Sequence, residues 1–318
     1  MVELGYALSA EEHAPNDLVR FAVAAEQAGF TFALISDHFH PWLSRQGHSP
    51  FAWTVIGAIA HATQRLRLGT GVTCPTVRYH PAIIAQAAAT AAVMLDGRFI
   101  LGVGSGEALN EHILGDHWPE ADERLEMLEE AVEVIRTLWQ GGPRDHRGRH
   151  YRVEHARVYD LPQEPPPIVV SGFGPKAVDL AARIGDGYCT VQPDAESVER
   201  FRSGAQRGSL VQGGTKVCFG PDEAEALRTV HRLWPNEALP GELAQILPTP
   251  EHFEQAAQLV TEGMVAEQVP CGPDIDRHVE ALREYERAGF DELYVNQIGP
   301  EQDAFFAAYR DEVLPRLR

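Results

Sequence analysis

The chain has 318 residues, 44% of them hydrophobic, and carries a formal net charge of −19. That length suits one large α/β domain with enough apolar material for a full core. An acidic field of this size repels phosphate backbones and anionic lipid, so neither nucleic acid nor a membrane surface is expected as a partner.

Residues 1–6, Met-Val-Glu-Leu-Gly-Tyr, have neither the basic start nor the apolar centre of a signal peptide. No apolar run approaches the ~18 residues that span a bilayer. The four cysteines, Cys74, Cys189, Cys218 and Cys271, are scattered and lack Cys-x-x-Cys spacing. Reduced thiols and a cytoplasmic location are expected. Lys176 and Lys216 are the sole lysines, which leaves little material for Schiff-base chemistry.

In chain order, residues 4–8 predict a first strand. A helix opens at Pro15, shows Leu18, Phe21, Ala22 and Ala25 on one face, and ends at Gly29. Residues 32–35 form a short apolar run, a second strand, that empties into Ser36-Asp37-His38-Phe39-His40-Pro41-Trp42. A helix follows to about residue 63, then a third strand over 66–70 leading into Gly71-Val72-Thr73-Cys74. Another helix starts at Pro81. A fourth strand over 98–103 leads into Gly104-Ser105-Gly106-Glu107, followed by a helix carrying Leu125, Leu128, Val132 and Ile135.

Residues 140–166, rich in Gly, Arg, His and Pro, break this rhythm and predict an inserted hairpin or loop. Strands are expected again over 168–171, 187–191 and 216–219, each followed by a helix. Residues 234–250 read as a second insertion, 266–270 as one further candidate strand, and 292–296 as the last strand. Strand and helix alternate about eight times without a composition break. The expectation is a single (β/α)8 barrel over 1–318, with insertions at about 140–166 and 234–250.

A barrel of this kind carries its chemistry at the carboxyl ends of the strands. Those ends offer Asp37, His38, His40 and Trp42 in six residues, then Gly71-Val72, Ser105 to Glu107, Gly172 to Gly174, and Val191. Gly102-x-Gly104-x-Gly106 lacks the spacing of a dinucleotide fingerprint and follows a fourth strand, so a backbone approach to a flat ligand or phosphate is the better reading. Ser171-Gly172-Phe173-Gly174-Pro175-Lys176 reads as an anion cradle at a helix start or as an ordinary loop. His38-x-His40 invites a metal, but later strand ends supply no further His or Asp in register, so no metal is expected. Trp53 and Phe39 suit either the core or a planar ring.

At these motifs the chain resembles the bacterial-luciferase-like oxidoreductases that use the deazaflavin coenzyme F420, and most of all their glucose-6-phosphate dehydrogenase-type branch. Ser36-Asp-His-Phe-His-Pro-Trp42 is similar to that branch's Ser-Asp-His-Phe-x-Pro-Trp, and Gly104-Ser-Gly-Glu-Ala-Leu-Asn-Glu111 to its Gly-x-Gly-Glu-Ala-Leu-Asn-Glu. Leu138-Trp139-x-Gly141 and Gly185-Asp-Gly187 match as well.

The resemblance implies coenzyme F420 as cofactor. Asp37, Gly71, Val72, Cys74, Ser105, Gly106 and Asn110 would hold the ring. Gly71-Val72 would form the bulge behind it, often a cis peptide. Phe173, Gly174, Lys176 and Ala177 would hold the cofactor's phosphate. His38 would be the acid–base residue at the substrate hydroxyl, Glu107 would handle the ring proton, and Trp42 would line the substrate face. A homodimer is also implied.

In the sugar-phosphate enzymes three basic residues grip the substrate phosphate. The aligned positions here are Asp194, Ala244 and Gln268, none basic, and the neighbouring threonine falls at Val191, or at Thr190 with a one-residue shift. His40 and Gln245 also depart from the pattern. The expected substrate is therefore a small molecule without a phosphate handle. An FMN-dependent monooxygenase and a non-catalytic cofactor-binding relative are the rival expectations.

Overall fold

Short apolar runs at regular spacing become strands, and the strands close on themselves. The computed structural model describes residues 2–317. Its ten strands are β1 (Glu3–Leu8), β2 (Phe32–Ile35), β3 (Arg67–Thr70), β4 (Phe99–Val103), β5 (Arg144–Arg147), β6 (Arg152–Ala156), β7 (Ile168–Ser171), β8 (Gly187–Thr190), β9 (Leu210–Val217) and β10 (Glu292–Gln297). Eight of them form a closed parallel barrel in the order β1-β10-β9-β8-β7-β4-β3-β2, while β5 and β6 pair apart as an antiparallel hairpin. The hairpin is the insertion expected over 140–166. The second insertion carries short helices, Pro235–Ala238 and Leu243–Ile246.

The helices begin and end where local chemistry directs. Proline stands at the first turn of Pro15–Ala28, Pro81–Met94 and Pro175–Ile184, where its missing N–H costs nothing. Gly29 and Gly289 close Pro15–Ala28 and Ile275–Ala288 with φ of 98° and 92°, a left-handed turn natural to glycine.

Apolar side chains sort into an outer core between strands and helices and a smaller one inside the barrel. The inner one holds Ile100, Val169 and Cys189, with Leu210 and Tyr294 against them. A third cluster lies beneath the second insertion and includes Trp234, Val265 and Ile298, with Trp42 packed on it.

Two expectations need correction. The seventh barrel strand is β9, Leu210–Val217, and not 216–219. Its Gln212-Gly213-Gly214-Thr215 centre lacks an apolar run because neighbouring rings fill the space: a Cβ on Gly214 would overlap Tyr294, and one on Gly213 would stand 2.6 Å from Tyr285. Residues 266–270 are not a strand; helix Glu262–Ala266 ends there, and only an isolated bridge joins Cys218 and Cys271.

Candidate active site

Two strand ends carry the reactive groups. All four residues of β2 are buried, so the polar run beginning at Ser36 emerges at the barrel mouth. β4 is buried throughout and exits through the glycines into Glu107. The imidazole of His38 lies between two carboxylates, with Nε2 3.6 Å from Glu107 Oε1 and Nδ1 3.3 Å from Glu11 Oε1. The Glu11 approach is close enough for charge attraction but misses hydrogen-bond geometry, so the buried Nδ1 makes no hydrogen bond. Trp42 meets the imidazole edge-on at 5.0 Å between ring centres and rests in turn on Phe253 at 5.2 Å.

Glu11 is held rather than free. Its Oε2 accepts from Ser9 and Ser36 hydroxyls, both at 2.8 Å, and Ser36 Oγ accepts from the Ala10 N–H. Glu11 lacks a motif of its own; its one sequence signal is a place just past β1, matching that of Asp37 after β2.

Asp37 is buried and fully engaged. Thr73 Oγ1 donates to its Oδ2 at 2.7 Å, and Tyr79 and Arg78 approach Oδ1 at 3.2 and 3.3 Å. The same guanidinium lies 3.5 Å from Glu111, whose carboxyl also accepts the Arg78 N–H. Burial outweighs that cation and pushes the Glu111 carboxyl up to about 7. Arg78, Tyr79, Glu111 and Thr73 escape sequence reasoning because nothing in their spacing predicts this convergence.

Asn110, also buried, clamps the two loops together. Its Oδ1 accepts from Phe39 and His40 N–H groups at 2.7 and 2.9 Å, and its Nδ2 donates to Glu107. His40 Nδ1 lies 3.0 Å from the Leu109 carbonyl, and Phe39 is exposed.

The expected ring-binding residues form a continuous bed. The Gly71–Val72 peptide is cis. A Cβ on Gly104 would stand 2.9 Å from Val72, and one on Gly106, at φ +75°, 2.5 Å from Cys74 Sγ. Glycine at both positions lets the β4 exit pack tightly on its neighbours, Val72 and Cys74. Ser105 is half-buried between them. Cys74 itself lies beneath Gly106, with Sγ 3.0 Å from Thr76 Oγ1, and burial raises its thiol pKa.

Further round the rim, a Cβ on Gly174 would meet nothing. Gly174 caps Pro175–Ile184 without a side-chain acceptor, so the first helical N–H groups, at Lys176 and Ala177, have no capping side chain. This open, donor-rich turn fits a phosphate. Phe173 is exposed beside it, and Lys176 Nζ binds Asp122 at 2.7 Å.

The remaining expected pocket residues are more scattered. Val191 is exposed at the end of β8, and Asp194 caps helix Ala195–Gly204 through Glu196 N–H and the Ser197 hydroxyl. That cap holds the Asp194 carboxyl below its usual range. Gln245 Oε1 accepts from Arg124 at 3.3 Å, a buried guanidinium stacked on Trp118. Gln268 is exposed just after helix Glu262–Ala266. Among the described residues, no group of three or more His, Cys, Asp or Glu could hold a metal.

A closed parallel barrel with its polar groups gathered at the strand ends is an enzyme scaffold, and here its lineage can be stated. Residues 1–292 match the family described as luciferase-like monooxygenase, and the chain belongs to that family. Across the whole chain it is 39% identical to a protein of Microbacterium testaceum named F420-dependent glucose-6-phosphate dehydrogenase, covering 98% of that relative. An F420-dependent secondary alcohol dehydrogenase, solved with an F420-acetone adduct, superposes over 100% of this chain and 99% of its own, with a TM-score of 0.93 at 29% identity. The coenzyme F420-dependent tetrahydromethanopterin reductase of Methanopyrus kandleri shares the fold, with a TM-score of 0.81 at 23% identity over 100% of this chain and 99% of its own.

Proposed function

We propose that the chain is a coenzyme F420-dependent oxidoreductase acting on an alcohol or carbonyl carbon. The observation that carries this is the His38 imidazole between Glu11 and Glu107, set on the same rim as the cis Gly71–Val72 turn and an uncapped helix start. Bound there, the coenzyme would supply a deazaflavin ring that exchanges two electrons as a hydride. The names of the relatives weigh for the same coenzyme.

His38 Nε2 takes the substrate hydroxyl proton in oxidation and returns it in reduction. Glu107 Oε1 holds a proton at the ring side, and Glu11 stands behind the imidazole at 3.3 Å and positions it. Gly71, Val72, Ser105 and Gly106 seat the ring, with Asp37, Cys74 and Asn110 bracing that bed from beneath. Phe173, Gly174, Lys176 and Ala177 hold the phosphate. Trp42 walls the substrate face.

The substrate in this reading lacks a phosphate handle. The relatives' names weigh for glucose 6-phosphate, but a carboxylate at Asp194 and uncharged Ala244 and Gln268 replace three cations, and lost charge-assisted contacts are costly. Four unpaired buried cysteines support a cytoplasmic setting. No described helix is long and apolar enough to cross a membrane. An apolar groove between helices Ala52–Ala62 and Pro81–Met94, flanked by exposed Phe51, Ile83 and Met94, supports a homodimer. Ile83→Glu is then expected to shift the sedimenting species toward monomer.

The test is a titration of purified protein with coenzyme F420 and, separately, FMN, followed by fluorescence. Saturable F420 binding with ring reduction by an alcohol supports the proposal. Tight FMN binding with oxygen consumption refutes it, and F420 binding without turnover of any alcohol or carbonyl makes the chain a cofactor-binding protein.

A further inference from the structure

β9 and β10 bring two polar side chains to the barrel mouth that none of the roles above uses. Their register pairs Gln212 with Glu292, Gly214 with Tyr294, and Lys216 with Asn296. Tyr294 packs on the inner cluster, and Gln212 bonds Glu292 in the interior. Alternation along a strand therefore aims Lys216 and Asn296 inward at the carboxyl end, where the chemistry sits.

Lys216 Nζ is 3.0 Å from Glu237 Oε2 and lies over the Trp234 ring at 4.7 Å. Asn296 is 6% exposed, and its Oδ1 has no hydrogen-bond partner. The cluster is continuous with the catalytic side: Trp42 packs on the group containing Trp234, and His38 packs on Trp42.

The charges decide what this cluster can recognise. Glu237 neutralises Lys216, so an anion drawn to that ammonium meets a carboxylate beside it. A hydroxyl suits all three groups, since it can accept from Lys216 and donate to Asn296 or Glu237. A simple alcohol has no second hydroxyl with which to satisfy the orphaned Asn296 oxygen.

Resting on the oxidoreductase reading above, we propose that Lys216, Asn296 and Glu237 read hydroxyl groups, and that the substrate is an uncharged polyhydroxy compound, a polyol or free sugar. Ser9 and Ser36 play no part in this reading because Glu11 engages both.

The experiment uses the chain loaded with F420, with coenzyme binding measured first. Glucose, glycerol, glucose 6-phosphate, lactate and 2-propanol are then compared by loss of the oxidised-coenzyme absorbance. Glucose or glycerol is expected to exceed the other three in kcat/KM by roughly 10-fold or more. Asn296→Leu and Lys216→Met should each raise KM for the preferred polyol by roughly 10-fold, with kcat changed far less. Glu237→Gln should unmask the cation and lower KM for lactate and glucose 6-phosphate by about 10-fold.

Asn296→Ser provides the same reading where the leucine variant does not fold. A preference for 2-propanol, lactate or glucose 6-phosphate overturns the inference, as does an unchanged KM in all variants or no turnover of any compound by the loaded protein. Failure to bind F420 overturns instead the oxidoreductase reading beneath it.

Discussion

His38 Nε2 stands 3.6 Å from Glu107 Oε1, although the two residues leave the barrel from different strands, β2 and β4. Between these strands only β3 intervenes, and its exit is the glycine turn with the cis peptide. The His38–Glu107 pair and that glycine turn thus share one arc of the rim. In the proposed role, removing His38 takes away the proton acceptor and leaves the glycine turn as it is. His38→Ala should lower kcat/KM by roughly 10²- to 10⁴-fold and leave the F420 dissociation constant within about threefold. Steady-state turnover alongside a fluorescence titration separates the two effects, and equal loss in both would contradict the role.

Glu11 sits on the far side of the same imidazole and is itself fixed by two hydroxyls. Glu11→Gln removes the charge while keeping the volume and the hydroxyl contacts. In the proposed role kcat should fall by about 10-fold or more, with F420 binding within about threefold of the parent. Steady-state turnover beside a fluorescence titration checks this, and an unchanged kcat would assign Glu11 to packing alone.

The Asn110 side chain is a structural clamp between the β2 and β4 exits. Asn110→Ala orphans the Phe39 and His40 N–H groups, and each unpaired donor near the interior costs about 1–3 kcal/mol. Unfolding in denaturant should show a loss of roughly 2–4 kcal/mol, and KM should rise because the His38 loop loses its tie to Glu107. A variant as stable as the parent would mean water replaces the amide at no cost.

Stability should also fall with rising pH through neutrality. Burial raises the Glu12 carboxyl from 4.5 to about 7, and Glu111 follows the same direction. Between those two values the folded chain keeps a proton that the unfolded chain has released. The contribution is therefore complete below pH 4.5 and is lost as pH climbs through 7. For Glu12 this amounts to about 3 kcal/mol. Glu12→Gln cannot titrate, so its stability relative to the parent should improve by about that amount between pH 4.5 and 8. Parallel curves for the two proteins would disprove it.

The linear chain determined the barrel and most of the helix boundaries, and it marked the polar run around His38 as a place to look for a site. Apolar runs, proline at helix starts and glycine at helix ends act over a few residues, so they can be read without knowing the fold. The meeting of His38 and Glu107 at one rim was legible in part: His38 stands in a polar run directly after a strand that must be buried, whereas Glu107 was singled out by the family resemblance of its motif and not by its position alone. The β9 strand was misplaced because its Gln212–Thr215 centre has the polarity of a loop and becomes a strand only where Tyr285 and Tyr294 fill the space its glycines leave.

Only the tertiary structure decided that Glu11 stands behind His38, that Arg78 bridges Asp37 and Glu111, that the Asn110 amide ties the Phe39–His40 backbone to Glu107, that Asp194 is engaged as a helix cap, and that Lys216 is offset by Glu237. The physical reason is common to all of them. Hydrogen bonds and ion pairs act over about 3 Å, and which groups come that close depends on strand register and on how the insertions fold back. Local sequence pattern carries neither.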